Sequence, residues 1–314
     1  MRECFECTQR RAKGEPIMLT RRAFFARTAA AGAAVSLAGF GRVHVRAAEP
    51  LIKGTPNAEK LGWRVGIAAY TYRGLTLFET FDRIAAVGLR YIELFAWQPL
   101  SPRHADAQPG PGLTKTLRQD LRKKASDTGI RMIACYTGLD DAESAKAFFE
   151  FAAEMGFEAI VSEPPEGLLD SIEKLAEEYK VDLALHNHPQ PSHYWNPDTG
   201  LAALKGRSAR MGFCCDTGHW CRSGLEPAEV LKKVGPRVKT FHLKDLDEFG
   251  VPGAGDVIWG QGKGRIAEIF AEVKRQSLKP YFGIEWERTE DSEAAIHAQS
   301  VAFLEETAGK LSRP

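Results

Sequence analysis

The sequence lacks a charge field of either sign: 42 lysines and arginines face 41 aspartates and glutamates, leaving a formal net charge of +1 over 314 residues. Nothing in that balance attracts a polyanion, so no nucleic-acid partner is expected. Long apolar runs are missing as well. The uncharged stretch from Thr28 to Phe40 is too short to span a bilayer comfortably, so no stable membrane anchor is expected. Cysteine is sparse and unpatterned. Cys4 and Cys7 form an isolated C-x-x-C, while Cys135, Cys214, Cys215 and Cys221 fall in or beside apolar strand-like runs, which suits buried thiols rather than a disulfide framework. Internal repeats are absent, and so is low complexity beyond the N-terminal segment. What remains is 44% hydrophobic and 26% charged, a globular composition with enough interior for a full core, which excludes disordered and collagen-like chains.

Near the N-terminus, Thr20-Arg21-Arg22-Ala23-Phe24-Phe25 precedes the uncharged stretch, and an A-x-A-like region around Val45-Arg46-Ala47-Ala48 follows it. A charged segment, a short apolar segment and a small-residue exit are the parts of a cleavable signal. This resembles a twin-arginine export signal. The resemblance implies that residues 1–48 are leader, with Met18 as an alternative start, and that the protein reaches the periplasm or the exterior already folded.

Counting from Glu49 leaves about 265 residues, close to the ~250 typical of a (β/α)₈ barrel. From Arg64 onward, short β-branched or apolar runs alternate with amphipathic helical stretches, as expected of βα units closing a parallel sheet. The expected strands are Arg64–Tyr72, Tyr91–Ala96, Arg131–Tyr136, Ala159–Ser162, Asp182–Asn187, Arg210–Cys215, Val238–Leu243 and Tyr281–Trp286. Helices fit between them, for example over Leu113–Thr128, Ala142–Met155, Leu168–Tyr179 and Arg265–Gln276, with Gly88, Gly129 and Gly156 as stops and Asn196-Pro197 opening another. The fold expected for residues 49–314 is therefore a single-domain α/β (β/α)₈ TIM barrel. Two loops are longer than a barrel needs, Gln98–Gly112 and the glycine-rich Asp245–Gly264, and such loops are usually lids or binding loops.

Ionisable residues collect at six of the eight expected strand ends: Glu93, Glu163, His186 with His188, Asp216 with His219, His242 with Lys244, and Glu285. In a parallel barrel those ends converge on one face, so residues far apart in sequence point into one pocket. Unpaired buried charge is costly, which makes this a poor way to build a core and a sensible way to build a site.

Four segments carry a resemblance: Leu183-Ala184-Leu185-His186-Asn187-His188, Cys215-Asp216-Thr217-Gly218-His219, Phe241-His242-Leu243-Lys244-Asp245 and Ile284-Glu285. They resemble the successive strand-end motifs of the xylose-isomerase-like superfamily of sugar isomerases and epimerases, here in a His-Asn-His variant, over essentially all of Arg64 to Leu311. The resemblance implies a metal set of His186, Asp216, His242 and Glu285. It departs from the epimerases at His186, where they carry a Glu that resembles one half of an acid/base pair with the eighth-strand Glu.

Two imidazoles and two carboxylates suit a borderline divalent ion, Mn²⁺, Zn²⁺, Co²⁺ or Fe²⁺, better than Ca²⁺ or Mg²⁺. Such an ion polarises a carbonyl and stabilises the enediolate left when the neighbouring C–H loses its proton. The candidate bases are Glu285, Glu163 and His188; Lys244 or His219 is placed to donate to the developing oxyanion. His219, Trp259 and Glu93 are expected to touch substrate, and Trp97, Trp195 and Trp220 also lie near strand ends where flat rings stack on sugars. The expected activity is that of a metal-dependent sugar isomerase or epimerase working next to a carbonyl. A lyase or hydratase acting on 3-keto sugars or 3-keto glycosides starts with the same proton removal and is the rival. An exported sugar-binding protein without catalysis is the third reading. Endonuclease-type relatives share the D-T-x-H turn, but the second and third strands here end near Glu93 and Tyr136 and offer none of the extra His those enzymes use.

Overall fold

The computed structural model describes residues 49–288 and 294–313. The leader assigned to residues 1–48, with Cys4 and Cys7, lies outside them. The eight expected strands form as β1 Arg64–Ala68, β2 Tyr91–Phe95, β3 Arg131–Tyr136, β4 Ala159–Ser162, β5 Asp182–His186, β6 Met211–Asp216, β7 Val238–Leu243 and β8 Tyr281–Ile284. All pair in parallel, each with its sequence neighbours, and β1 closes on β8 to complete a barrel. Alternation sends small residues such as Ala134, Ala159 and Ala184 to a cluster shared with Ile133, Val161, Cys214 and Tyr281, while the larger apolar side chains pack between sheet and helices. Cys135, Cys214, Cys215 and Cys221 are all free and buried.

The helices begin and end where local chemistry dictates. Thr76 accepts from the Glu79 amide while Glu79 reaches back to the Thr76 amide, a capping box that opens Leu77–Val87. Gly88, Gly129 and Gly156 take left-handed conformations at the ends of their helices, φ 100°, 67° and 78°, which relieves them of the steric cost other residues meet there. Asn196 caps Pro197–Ala203 by accepting from the Asp198 amide. Among the described residues no helix is long and apolar enough to cross a membrane.

Four strand ends fall short of the sequence expectation: β2 stops one residue early, at Phe95, and at β1, β5 and β8 a side chain takes over the ladder. β1 stops at Ala68, and Ala69–Tyr72 turns as a 3₁₀ helix; Thr71 Oγ1 donates to Ile284 O at 3.0 Å and accepts from Trp286 N at 3.1 Å, fastening that turn to the end of β8. β5 stops at His186 because the Asn187 amide replaces a backbone pair. Its Nδ2 donates to Asp216 O at 3.0 Å, and its Oδ1 accepts from Asp216 N at 2.9 Å. β8 stops at Ile284, two residues early.

The glycine-rich loop is not a loose flap. Asp245 and Leu246 pair antiparallel with Asp256 and Val257, and the Asp245 carboxylate gathers the amides of Gly260, Gly262 and Gly264 at 2.8, 3.0 and 2.8 Å. A Cβ at Gly262 would lie 2.4 Å from Asp245 Oδ1, so the glycines let the backbone close on that carboxylate. The loop is fastened to the fold and supplies no wall of the cavity described next.

Candidate active site

A cavity of about 470 Å³ opens at the C-terminal face of the barrel, lined by Tyr70, Phe95, Trp97, Tyr136, three strand-end histidines, His219, Glu285 and Glu287. On its floor one donor atom from each of His186, Asp216, His242 and Glu285 lies within 4.8 Å of the others, and all four residues are buried. His186 Nε2 stands 3.5 Å from Asp216 Oδ2, and His242 Nδ1 stands 3.1 Å from Glu285 Oε2. The strands explain the convergence: β5, β6 and β7 are neighbours, and Glu285 follows β8 directly.

The outer nitrogen of each floor imidazole meets a carboxylate. His186 Nδ1 lies 2.8 Å from Glu163 Oε1, and His242 Nε2 lies 2.8 Å from Glu93 Oε1. An ionised carboxylate only accepts, so each ring donates outward, and its other nitrogen faces the floor, where a bound cation would take the place of a proton. His242 Nδ1 is buried there beside Glu285 Oε2 but makes no well-directed hydrogen bond among the described residues. Carboxylate-backed imidazoles aimed at two further carboxylates are the arrangement of metal-bound histidines, so these residues fit a divalent ion. The electrostatics agree. Burial works against charge on both rings, yet Asp216 and Glu163 raise His186 above its ordinary value, and Cys214, Glu285 and Glu93 raise His242. The floor attracts positive charge.

Lys244 is the charge already present. Its Nζ donates to Asp216 Oδ2 and Glu285 Oε2 and lies 3.2 Å from Glu287 Oε1. Burial opposes its charge, but Asp216, Glu285 and Glu287 hold it well above the usual lysine range. The D-T-G-H turn makes room for it: Thr217 Oγ1 exchanges hydrogen bonds with the Lys244 backbone at 3.1 Å, and a Cβ on Gly218 would come within 2.8 Å of Lys244 Cβ.

His219 lies beside this cluster in one defined tautomer. Arg222 Nη1 donates to its Nδ1 at 3.2 Å, which leaves the proton on Nε2, 3.4 Å from Asp216 Oδ2. Burial, with Lys244 and His186 adding to it, holds the ring well below its ordinary value against the pull of Asp216, so it is neutral. His188 lies beyond the end of β5 yet faces the same way as His186, their ring centroids 4.6 Å apart, and its Nδ1 shares Glu163 Oε1 with His186. Its side chain is 48% exposed toward the cavity mouth. Burial opposes charge on Glu163, but the hydrogen bonds from the two histidines hold it at about 2.

Two expected substrate contacts are corrected by the structure. Glu93 is fully buried behind His242 and touches no part of the cavity, because it is the third of the five residues of β2 and sits two residues below Phe95, which lines the cavity. Trp259 is buried in the core against Phe270, ring centroids 6.2 Å apart, because its loop folds back onto Asp245. Trp220 is likewise core and Trp195 is not a wall residue; Trp97 lines the mouth. Glu287, Tyr70 and Tyr136 line the cavity as well and were not among the expected site residues. Glu287 follows Glu285 at the two-residue spacing that keeps extended residues on one side, which was the available signal.

A model of the family described as xylose isomerase-like TIM barrel matches residues 81–307. The chain belongs to the xylose isomerase-like TIM barrel family. Within reach of this family assignment are curated relatives named inosose dehydratase, that of Bacillus anthracis being 26% identical over 166 residues, 45% of this chain and 53% of that protein. The chain thus spans about half the length of the curated relatives it matches. Among solved structures, a protein of Parabacteroides distasonis is 33% identical with a TM-score of 0.65, covering 78% of this chain and 99% of that one. A xylose isomerase-like TIM barrel protein from Mycobacterium smegmatis in complex with magnesium has a TM-score of 0.65 at 12% identity, covering 80% of this chain and 98% of that one, and shows the shared fold.

Proposed function

We propose that this family member is a divalent-metal-dependent enzyme that removes a proton next to the carbonyl of a sugar or keto-glycoside, as an isomerase or epimerase does. The observation that carries the reading is the floor of the cavity, where four donors converge and both imidazoles are backed by carboxylates. His186, Asp216, His242 and Glu285 would hold the ion, with Mn²⁺, Zn²⁺, Co²⁺ or Fe²⁺ matching the mixed nitrogen and oxygen donors. The chemistry a bound ion supplies is polarisation of the carbonyl and stabilisation of the negative charge that develops on its oxygen.

The chain's own residues divide the remaining work. His188 is the base: it reaches the cavity, and Glu163 fixes its ring through Nδ1, leaving Nε2 to take the proton. His219 presents an Nε2–H from a neutral ring, and a neutral ring can give hydrogen-bond support to an oxyanion without bringing a full charge. Tyr136, whose hydroxyl is held protonated first by burial and then by the nearby Glu163, faces the same space and is a second donor. Lys244 keeps Asp216 and Glu285 ionised.

One observation favours elimination as a second reading. His186 stands where epimerases carry a second carboxylate base, and both of its nitrogens are committed, one to Glu163 and one toward Asp216. One free base beside two neutral donors suits removal of a proton and protonation of a leaving oxygen, and the matched relatives are named dehydratases. Incubating metal-loaded protein with ketoses and 3-keto glycosides in D₂O tests both. Deuterium at the carbon beside the carbonyl supports proton removal, and loss of the β-oxygen identifies elimination. Bound sugar with neither outcome would leave a binding protein.

A further inference from the structure

One wall of the cavity takes no part in the chemistry above. Tyr70, Phe95 and Trp97 form a triangle of rings with centroids 5.7 Å (Tyr70 to Phe95), 5.8 Å (Tyr70 to Trp97) and 5.7 Å (Phe95 to Trp97) apart. Both contacts to Trp97 are edge-on, so two neighbouring rings fix the indole at the cavity mouth while it stays 41% exposed. The support is itself braced. Phe95 is buried and stacks on Tyr136 at 5.0 Å. The Arg73 guanidinium sits 4.5 Å over the Tyr70 ring while donating to Trp286 O and Glu287 O. An exposed indole held this rigidly loses little freedom when a flat group stacks on it, which is what makes an aromatic side chain an effective contact.

The position of the shelf says what it would hold. Phe95 lies 6.0 Å from the His242 ring on the floor and 5.7 Å from Trp97, and exposure rises from fully buried His242 through buried Phe95 to the exposed indole, so Trp97 stands at the mouth with a ring between it and the floor. A lone ketose with its carbonyl on the floor leaves that indole facing water. We propose that Tyr70, Phe95 and Trp97 form a second subsite, which receives a ring joined by a glycosidic bond to the ring that carries the carbonyl. The substrate class is then a keto-glycoside with a ring-bearing aglycone, not a free ketose. This assignment rests on the proton-removal reading for its first ring, and on the shelf alone for its second.

The test uses matched pairs that differ only in the second ring. Calorimetric titration of the metal-loaded protein with methyl and phenyl glucoside, which lack the ketone and cannot react, reads the shelf without catalysis. The phenyl compound is expected to bind about 3- to 10-fold tighter, the range for one aromatic stack. In Trp97→Ala that preference should vanish, and in Trp97→Phe most of it should return. With the corresponding 3-keto glycosides, Trp97→Ala should raise KM for the phenyl substrate more than for the methyl one. Equal binding of the two glucosides to the wild-type protein, or a Trp97→Ala variant that weakens both alike, overturns the subsite. A phenyl preference that depends on Trp97, together with no deuterium uptake from any keto-glycoside, leaves the subsite standing and removes the reaction instead.

Discussion

Glu93 Oε1 lies 2.8 Å from Nε2 of His242, joining strands β2 and β7 across the barrel interior, with both side chains fully buried. The bond decides which nitrogen of His242 faces the floor, so Glu93 acts on the site through another residue and not by touching substrate. Glu93→Gln keeps the shape but can present an N–H where an acceptor is needed, and should weaken metal affinity about 10- to 100-fold, the usual cost of losing such a partner. Competition against a chromophoric chelator measures it. An unchanged affinity would show that the His242 orientation is held by something else.

The four floor residues are expected to matter more than their supports. Asp216→Ala removes a donor and one of the carboxylates around Lys244, which keeps Glu285 and Glu287, while His242→Ala removes a donor and leaves Glu93 buried without its hydrogen bond. Purified variants should carry little metal by elemental analysis while Glu93→Gln remains loaded at stoichiometric supply. Full metal content in either alanine variant would refute this donor set.

The barrel and the four converging residues were legible because both rest on periodicity. Parallel strands carry every strand end to one face, whatever the loops do, and that gathered the ionisable strand ends; the choice of His186, Asp216, His242 and Glu285 among them came from the resemblance. His188 was legible by the same two-residue spacing even though β5 ends before it. Depth was not legible. Glu93 looked like another mouth residue, but β2 runs on to Phe95, which takes the place at the cavity and leaves Glu93 one layer lower, behind His242. Nor was loop path: the string of glycines around Trp259 reads as a mobile cover, yet its amides converge on Asp245 and carry the indole into the core. Arg222, which sets the His219 tautomer, gave no signal in sequence because that contact exists only once the turn after β6 is helical.

Export through the twin-arginine route is proposed from Arg21-Arg22 followed by Phe24-Phe25 and the uncharged stretch to Phe40. That machinery reads the arginine pair itself, so Arg21→Lys with Arg22→Lys preserves charge and should trap the precursor in the cytoplasm. Cell fractionation of a tagged precursor decides it, and undiminished export of the double variant would remove the claim.

His297 makes stability pH-dependent at a distance from the cavity floor. Its ring is fully buried against Tyr72 and Trp286, neither nitrogen has a hydrogen-bond partner among the described residues, and burial pushes its pKa down to about 4. In the unfolded chain the same group titrates near ~6.5. Above that value both states are neutral and stability is unaffected. As pH falls from about 6.5 to about 4 the unfolded chain gains a proton that the folded one refuses, and stability drops by roughly 3 kcal/mol in total. Urea midpoints at pH 7 and pH 4.5 should therefore move less in His297→Phe than in the parent. Identical shifts in the two proteins would mean that His297 is protonated when folded.

The choice of base can be separated from metal binding because Glu163 serves two rings at once. His188→Ala removes the free imidazole but leaves Glu163 to orient His186, so metal content should persist while kcat falls by about 10² to 10⁴, the range for losing a general base. Glu163→Gln acts on both rings: it disturbs the outer bond of His186 and frees the His188 ring, and so should lower metal affinity as well as kcat. Glu163 is a poor base in its own right, since its two histidine partners hold it at about 2, far below the range suited to taking a proton near neutrality. Metal analysis beside turnover on the same preparations distinguishes the roles. Near-normal turnover in His188→Ala, together with a Glu163→Gln variant that is fully loaded yet inactive, would move the base to Glu163 and leave His188 as its neighbour only.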